Sequence, residues 1–223
     1  MKYPKIHTIW KRDAQKKYAI MEGEFSKQEF DNVRTWEVTE KIDGTNIRVF
    51  LSWEKEVEKA TIRFGGRTDR AQIPTFLYSY LQDTFTEEKC KPLFEGRDDS
   101  EMILFGEGYW PKIQKGGGLY REDVSFILFD VCVGHWWFER DGVEDIAQTL
   151  GISTVPIIGL MTITEIENYV RDEPRSIVAK QDKPMEGIVA RPSPLMLFRD
   201  GNPIMIKLKI EDYKHLERME KIQ

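Results

Sequence analysis

The chain has 223 residues, a length that suits one domain and is enough to bury a sizeable hydrophobic core. Hydrophobic residues make up 40% and charged residues 32%, which is typical of a soluble globular protein and excludes a disordered chain. The net charge of −5 argues mildly against a nucleic-acid binder, although an acidic shell can surround a basic groove.

Several other classes are excluded by particular residues. Cys90 and Cys132 provide no disulfide framework and no signal peptide is evident, so we expect an intracellular, cytoplasmic protein. The most apolar stretch, residues 124–138, is too short and too polar to span a bilayer. The three histidines are far apart and lack metal-ligand spacing, so they are expected at the surface or in satisfied interior positions.

The predicted elements suggest an α+β domain with antiparallel sheets and inserted helices. Period-two alternation predicts strands, and apolar positions three or four apart predict helices. Strands are predicted at 35–41 and 46–50, joined as a hairpin by the Asp43-Gly44 turn, and at 58–64, and a helix follows Pro74. Strands are predicted at 102–105 and 125–133, on either side of a glycine-rich loop at 106–119. The rest of the chain is predicted to form helices at 143–150 and 164–170, strands at 186–190 and 204–209, and a tail helix from Glu211.

The first motif with chemical content is residues 40–46, EKIDGTN. A lysine beside an acid is weak evidence alone, since it also describes a solvated strand end. A tight turn could hold the Lys41 amine at a strand end as a nucleophile. Lys41 can attack a phosphorus atom only as the free amine, so the site would have to disfavour its protonated form.

Four more motifs follow in order. In the second motif, Arg67, after Gly66, could bind a phosphate. In the third, Glu107, between two glycines at a strand end, could approach a sugar hydroxyl, and Phe129 in the strand that follows could stack on a purine, although a core position is the more common one for such a residue. The last two motifs are residues 186–191, EGIVAR, and 206–209, IKLK.

Lys207 and Lys209 share one face of their strand, because side chains two residues apart point the same way. Two exposed lysines on a strand are common and alone prove nothing. If they face a pocket with Lys41, their charges would disfavour its protonated form.

Together the five motifs resemble the covalent nucleotidyltransferase superfamily of ligases and capping enzymes, and most closely the RNA ligase 2-type family. Asn46 follows Lys41-x-Asp-Gly-Thr, where DNA ligases usually have arginine; the triplet Ile113-Gln114-Lys115 resembles that family's segment after its third motif; and Arg191-Pro192 stands where the family usually has Lys-Pro. Asp43 departs from the His often found in the family, but Asp is the commoner residue in the superfamily.

The resemblance implies two antiparallel sheets flanked by helices, in one adenylyltransferase domain over residues 1–223, with the motifs in about 35–210 and no appended C-terminal domain. It implies an ATP-dependent RNA ligase that uses Mg²⁺, or Mn²⁺ in its place, to seal 5′-phosphate and 3′-hydroxyl RNA ends in RNA repair. A phage or viral source is compatible with it.

The resemblance also implies the role of each site residue. Lys41 becomes lysyl-AMP; Asp43 and Glu186 hold the metal through water; Glu40 and Phe129 contact adenine; Glu107 holds the ribose; Asn46, Arg67 and Lys207 contact phosphate or ribose; and Lys209 holds the α-phosphate.

Three alternatives stay open. Two lie in the same superfamily, a DNA nick ligase and a guanylyltransferase that uses GTP. The third is a nucleic-acid end-binding module that has lost catalysis, against which the complete set of charged motif residues argues. The tail carries an apolar stripe, Tyr213, Leu216, Met219 and Ile222, that fits either the domain's own core or a partner protein or homodimer.

Overall fold

A computed structural model describes residues 1–16, 18–54, 56–57, 59–95, 101–111 and 120–220. The strands are β1 (His7–Thr8), β2 (Trp10–Asp13), β3 (Ala19–Phe25), β4 (Trp36–Glu40), β5 (Thr45–Glu54), β6 (Lys59–Gly66), β7 (Met102–Tyr109), β8 (Ser125–Val133), β9 (Trp136–Trp137), β10 (Ser153–Thr154), β11 (Ile157–Met161), β12 (Gly187–Pro192) and β13 (Ile206–Lys209). The helices are α1 (Thr75–Thr84), α2 (Glu87–Cys90), α3 (Arg140–Leu150), α4 (Ile163–Arg171) and α5 (Ile210–Glu220), with short 3₁₀ turns at Gln28–Asn32 and Lys91–Phe94.

The chain divides into two compact units. The lysine unit consists of Pro4–Ile42 and Pro156–Gln223, and the central unit of Met1–Tyr3 and Asp43–Val155. The boundary falls between Ile42 and Asp43, inside the first motif. The predicted site residues therefore belong to two sets, one in each unit.

The lysine unit is built on a sheet in the order β1-β13-β12-β4-β11. Its pairings are antiparallel except for the parallel pair β1 and β13. Alternate residues of the central strands, such as Trp36, Val38, Ile206 and Leu208, enter a core that α4 and α5 also line. The intervening residues of β13 are Lys207 and Lys209, so the two lysines share the face opposite this core.

The central unit is built on a sheet in the order β10-β8-β7-β5-β6, with β9 beside β8. Alternate residues of β5, which are Ile47, Val49 and Leu51, enter a core that includes residues of α1 and α3. A smaller cluster around Phe105 includes the half-buried Phe129. Burial raises the pKa of the Cys90 thiol to about 12 and that of Cys132 to about 11, so neither unpaired cysteine is a ready nucleophile.

The predicted α+β class with mostly antiparallel sheets is confirmed. The predicted hairpin between 35–41 and 46–50 is wrong, because β4 pairs with β11 and β12 whereas β5 pairs with β6 and β7. The predicted loop at 106–119 is wrong at its start, since β7 continues to Tyr109. The Ile-Gln-Lys triplet and the run of three glycines lie outside the described residues.

The first half of the apolar tail stripe folds onto the lysine unit itself. Tyr213 is buried in its core and Leu216 packs against it. The side chain of Met219, and Ile222 as a whole, lie outside the described part of the chain. A partner protein or homodimer through this helix stays a prediction. Within the described residues, none of the helices combines the length and the apolar character needed to cross a membrane.

Candidate active site

Lys41 follows the last residue of β4 and leaves the strand toward the Asp43-Gly44 turn. Its backbone N–H donates to the carbonyl of Gly187 at 2.9 Å, which fixes the chain at the strand end. Its Nζ donates to Oε2 of Glu186 at 2.6 Å. The Lys41 side chain is 22% exposed, so the amine is sheltered yet accessible.

Glu186 bridges two lysines. While Oε2 accepts from Lys41, Oε1 forms an ion pair with Nζ of Lys209. The backbone of Glu186 is also held, since its carbonyl accepts from the N–H of Ile210 at 3.2 Å. The lysine unit thus brings together three predicted catalytic residues, which lie just after β4, just before β12 and at the end of β13.

The contact between Lys41 and Lys209 is indirect. A carboxylate lies between the two ammonium groups and offsets the repulsion that the sequence predicted. Lys207 pairs in register with Thr8 and Val189, two residues along the same face from Lys209. Burial lowers the pKa of His7, and the positive charges of Lys27, Lys5 and Lys207 lower it further.

The sequence did not reveal the hydrogen bond that fixes the backbone of Lys209. Lys209 precedes α5, and its backbone N–H donates to Oδ2 of Asp212 at 3.0 Å, the reach-back half of a capping box. The other oxygen of Asp212 accepts from Nη2 of Arg12 on β2 at 2.7 Å. The acid three residues after Lys209 was the available signal, but nothing in the sequence pointed to Arg12.

Glu40 is adjacent to Lys41 but differs from the other predicted ligand-binding residues in being 1% exposed. Its carboxylate accepts hydrogen bonds from the hydroxyl of Ser176, from the N–H of Ile177 at 2.8 Å and from the N–H of Val178 at 3.3 Å. The side chain therefore holds a turn of its own unit.

In the central unit, Asn46 on β5 and Glu107 on β7 are direct cross-strand neighbours. Gly44 is required before them, because a Cβ there would lie 2.5 Å from the carbonyl oxygen of Gly108 and 2.6 Å from Cγ of Glu107. Oδ1 of Asn46 is buried and has no hydrogen-bond partner among the described residues. A buried acceptor without a donor is costly, so this atom suits a ligand that supplies one.

Arg67 follows the end of β6 and is exposed, on a turn that a second arginine holds. Arg48 is buried, and its Nε donates to the carbonyl of Gly66 at 2.7 Å, its Nη2 to Asp69 at 2.8 Å and its Nη1 to the carbonyl of Met1 at 2.9 Å. The hydrogen bond from Arg48 lowers the pKa of Asp69. Arg48 was missed because an arginine on an alternating strand looks like a solvated position.

Phe129 occupies a bulge on β8. The register shifts between Phe105 and Gly106 on β7, and Phe129 is the extra residue opposite this step. The ring of Tyr3 contacts it edge-on, with centroids 5.0 Å apart, while the Tyr3 hydroxyl donates to Asp130 at 2.8 Å. Phe129 stays half-exposed, as stacking on a base would require.

The donor set fits a phosphate-bearing ligand and a hydrated metal ion. In the lysine unit, Lys41 and Lys209 offer ammonium groups, and Glu186 offers a carboxylate between them. Among the described residues there is no group of three or more His, Cys, Asp or Glu side chains that could hold a metal. Mg²⁺ often binds through one or two carboxylates together with water and phosphate oxygens, so the partly exposed carboxylate of Glu186 fits such an ion.

Comparison with solved structures shows the same fold in two sets of RNA ligases. A variant of an RNA ligase from Naegleria gruberi with ATP and Mn is 17% identical with a TM-score of 0.60, covering 97% of this chain and 63% of that one. The same ligase with PPi is 16% identical, with a TM-score of 0.59 and coverages of 97% and 62%. An archaeal ATP-dependent RNA ligase is 12% identical, with a TM-score of 0.54 and coverages of 95% and 48%.

The chain thus spans about half to two thirds of the length of these ligases. A comparison with curated proteins finds no match. The sequence matches the RNA ligase family over residues 34–209, a range that contains every predicted site residue. The chain therefore belongs to the RNA ligase family.

Proposed function

We propose that the chain is an ATP-dependent RNA ligase that joins 5′-phosphate and 3′-hydroxyl RNA ends through AMP bound covalently to Lys41. The observation that carries this proposal is the bridge from Lys41 through Glu186 to Lys209. In this bridge a sheltered amine and a second cation flank one carboxylate, a combination that suits a polyphosphate and its metal ion. Solved relatives of the same fold contain ATP with Mn, and PPi.

In the first step, the neutral amine of Lys41 attacks the α-phosphorus of ATP. A phosphorus–nitrogen bond forms, the bond from the α-phosphorus to the bridging oxygen breaks, and pyrophosphate leaves. Lys209 would balance charge on the α-phosphate, and Lys207 on the same strand face would bind the neighbouring phosphates. A charged lysine has no lone pair, so Lys41 must lose its proton before it reacts.

The second and third steps use the same site. The 5′-phosphate of RNA takes AMP from Lys41, and the 3′-hydroxyl of the other end then attacks that phosphate and releases AMP. Each step exchanges one bond to phosphorus for another and needs no oxidant or reductant. The fixed lysine face can therefore serve related phosphorus centres in turn.

The central unit would bind the nucleoside. We propose that Glu107 holds the ribose, that Phe129 stacks on adenine from its half-exposed bulge, and that Asn46 and Arg67 contact ribose or phosphate. The unpaired Oδ1 of Asn46 supports its part, since a ribose hydroxyl would supply the missing donor.

We propose that Asp43 and Glu186 bind Mg²⁺, or Mn²⁺, through coordinated water. When bound, the ion would offset negative charge on the phosphate oxygens as pyrophosphate leaves. The residues of this chain hold the carboxylates in place: Glu186 through both of its lysine contacts, and Asp43 at the turn that Gly44 makes possible.

Mass spectrometry tests the covalent step. After incubation with ATP and Mg²⁺, the intact protein should gain the mass of one AMP, and Lys41→Ala should gain none. Chelation of the divalent ion should also prevent the gain. An AMP adduct that survives Lys41→Ala would overturn the assignment of the nucleophile.

A sealing assay tests the substrate. RNA and DNA substrates of one sequence, nicked and single-stranded, should be compared with ATP and with GTP, and we expect sealing of RNA with ATP. Preferential sealing of DNA would favour a DNA nick ligase, an adduct formed only with GTP a guanylyltransferase, and binding of ends without any adduct a module without catalysis.

A further inference from the structure

Glu40 is held in a way that a residue contacting the nucleotide base would not need. Its side chain is 1% exposed, and both carboxylate oxygens accept hydrogen bonds from one short segment. A ligand that enters from solvent could not reach these oxygens unless that segment moved. The carboxylate therefore stabilises a segment of the protein itself.

The segment that Glu40 binds is a turn at residues 176–179. Ser176 donates its hydroxyl proton to Glu40, and its oxygen accepts from the N–H of Ala179 at 3.0 Å. The N–H groups of Ile177 and Val178 point at the same carboxylate. Several donors that converge on one anion make a strong, directional anchor.

This turn is joined to the segment that leads into Glu186. The N–H of Ser176 donates to the carbonyl of Lys183 at 2.9 Å, and the N–H of Met185 donates to the carbonyl of Pro174 at 3.0 Å. Arg175 and Pro184 form a bridge between these two bonds. A short ladder thus connects the anchored turn to the residue just before Glu186.

These contacts connect Glu40 with Glu186, and Glu186 with Lys41, all within the lysine unit. Glu40 binds the turn, the turn is hydrogen-bonded to the segment that ends at Met185, and Glu186 then contacts Lys41, the residue next to Glu40. Displacing the turn would displace the Glu186 carboxylate relative to the Lys41 amine. A shift of about 1 Å in a reacting pair can reduce a rate about a hundredfold.

We propose that Glu40 is a positioning residue, which clamps the turn at residues 176–179 and thereby sets Glu186 against Lys41, rather than a residue that contacts adenine. The proposal rests on the proposed function, because its kinetic consequence is the rate of lysyl-AMP formation. The clamp itself is a property of the protein without nucleotide.

A nucleotide without the 6-amino group separates a clamp from a base contact. A carboxylate that contacts adenine would accept from that amine, and purine riboside 5′-triphosphate lacks it. For a clamp, Glu40→Ala should slow lysyl-AMP formation at saturating nucleotide by about tenfold to a hundredfold, and by the same factor with both nucleotides. A loss that is large with ATP and absent with the analogue would overturn the proposal.

Variants of the turn provide a second test of the clamp. Ser176→Ala removes one donor to Glu40 and should reproduce part of the rate loss without raising the KM for ATP. Ser176→Thr keeps a hydroxyl and should restore the rate. Glu211→Gln, which removes an exposed charge of the lysine unit away from the turn and its ladder, should leave the rate unchanged. Equal rates in Ser176→Ala and the unmodified protein would contradict the clamp.

Hydrogen exchange gives a readout that needs no activity. The amides of Ile177 and Val178 should exchange faster in Glu40→Ala than in the unmodified protein, and at the unmodified rate in Glu211→Gln. Unchanged exchange in Glu40→Ala would show that there is no clamp. If the unmodified protein forms no lysyl-AMP, the proposed function fails, and the exchange experiment still decides the clamp.

Discussion

At the scale of single residues, the lysine unit places one carboxylate between two amines. Sequence reasoning assigned Glu186 to the metal and the lysines to the phosphates as separate groups. The structure shows direct contacts of Glu186 with both Lys41 and Lys209, so a change in any one of the three alters the charge around the others. Partial exposure of these side chains moderates each pair energy, because water screens the charges.

Glu186→Gln should separate catalysis from folding. The amide keeps the size of the side chain but removes the negative charge that we propose holds the hydrated metal ion, so we expect lysyl-AMP formation to fall about a hundredfold or more. The free energy of unfolding should change by about 1 kcal/mol or less, since the ion pairs are partly solvated. Single-turnover AMP transfer and denaturant unfolding measure the two quantities.

The control for Glu186→Gln is Glu211→Gln, which removes a charge from an exposed ion pair with Arg218 on α5. It should change neither quantity. An unfolded Glu186→Gln variant, or one that forms lysyl-AMP at the unmodified rate, would contradict the assigned role.

Lys209→Met should change the pH dependence of the first step. Removing this cation leaves Glu186 to pair with Lys41 alone, which favours the charged amine of Lys41. The rising limb of the rate of lysyl-AMP formation should therefore move to higher pH, and the maximal rate should fall. Lys214→Met, which removes an ammonium paired with Glu173, is the matched control and should leave the profile in place. An unmoved profile with normal activity in Lys209→Met would exclude this coupling.

At the scale of elements, local pattern located the strands but did not identify their partners. Alternation found β4 and the start of β5, and the turn residues between them suggested a hairpin. The two strands instead join different sheets, because β4 finds its partners in β11 and β12, far along the chain. Strand pairing over such distances depends on the packing of whole faces, which periodicity does not encode.

The same distinction applies to the candidate site. Motif residues of recognisable chemical type, such as Lys41, could be predicted from the sequence. The side chains that hold them, Arg12, Arg48 and Ser176, could not, because each acts through a contact with a residue remote in the chain. Only Asp212, three residues from the Lys209 it supports, had a local signal.

Asp212 links the start of α5 to the catalytic face, and two substitutions separate its parts. Asp212→Ala removes the acceptor of the Lys209 N–H and the partner of Arg12. The free energy of unfolding should therefore fall by about 1–3 kcal/mol, and lysyl-AMP formation should be slower. Asp212→Asn keeps an acceptor for the N–H and should recover most of the rate but less of the stability. Equal rates in both variants would show that the cap does not position Lys209.

At the scale of the whole molecule, two carboxyl groups on one helix should make opposite contributions to the pH dependence of stability. Burial raises the pKa of Glu167, despite hydrogen bonds from Trp10 and Tyr213. The hydrogen bonds of Glu165 to the backbone and side chain of Thr162, at the start of α4, lower its pKa. A shift between the folded and unfolded states ties each group to the unfolding equilibrium.

The signs follow from which state holds the proton more tightly. The folded state binds the Glu167 proton more tightly, so this group's contribution is full below the unfolded value of 4.5 and is lost as the pH rises through the higher folded value. The folded state binds the Glu165 proton less tightly. Its contribution is present above 4.5 and is lost as the pH falls through the lower folded value.

Glutamine variants should therefore differ in direction at neutral pH. Glu167→Gln resembles the protonated acid and keeps an oxygen to accept from Trp10, so we expect it to be more stable than the unmodified protein at neutral pH. Glu165→Gln weakens the cap and should be less stable there. Both differences should shrink as the pH is lowered from about 8 to about 4, which denaturant midpoints across this range would measure.

Because both groups lie on α4 and outside the catalytic face, lysyl-AMP formation at low denaturant should stay unchanged. A Glu167→Gln variant that is less stable at neutral pH would show that its charged form, held by Trp10 and Tyr213, stabilises the fold.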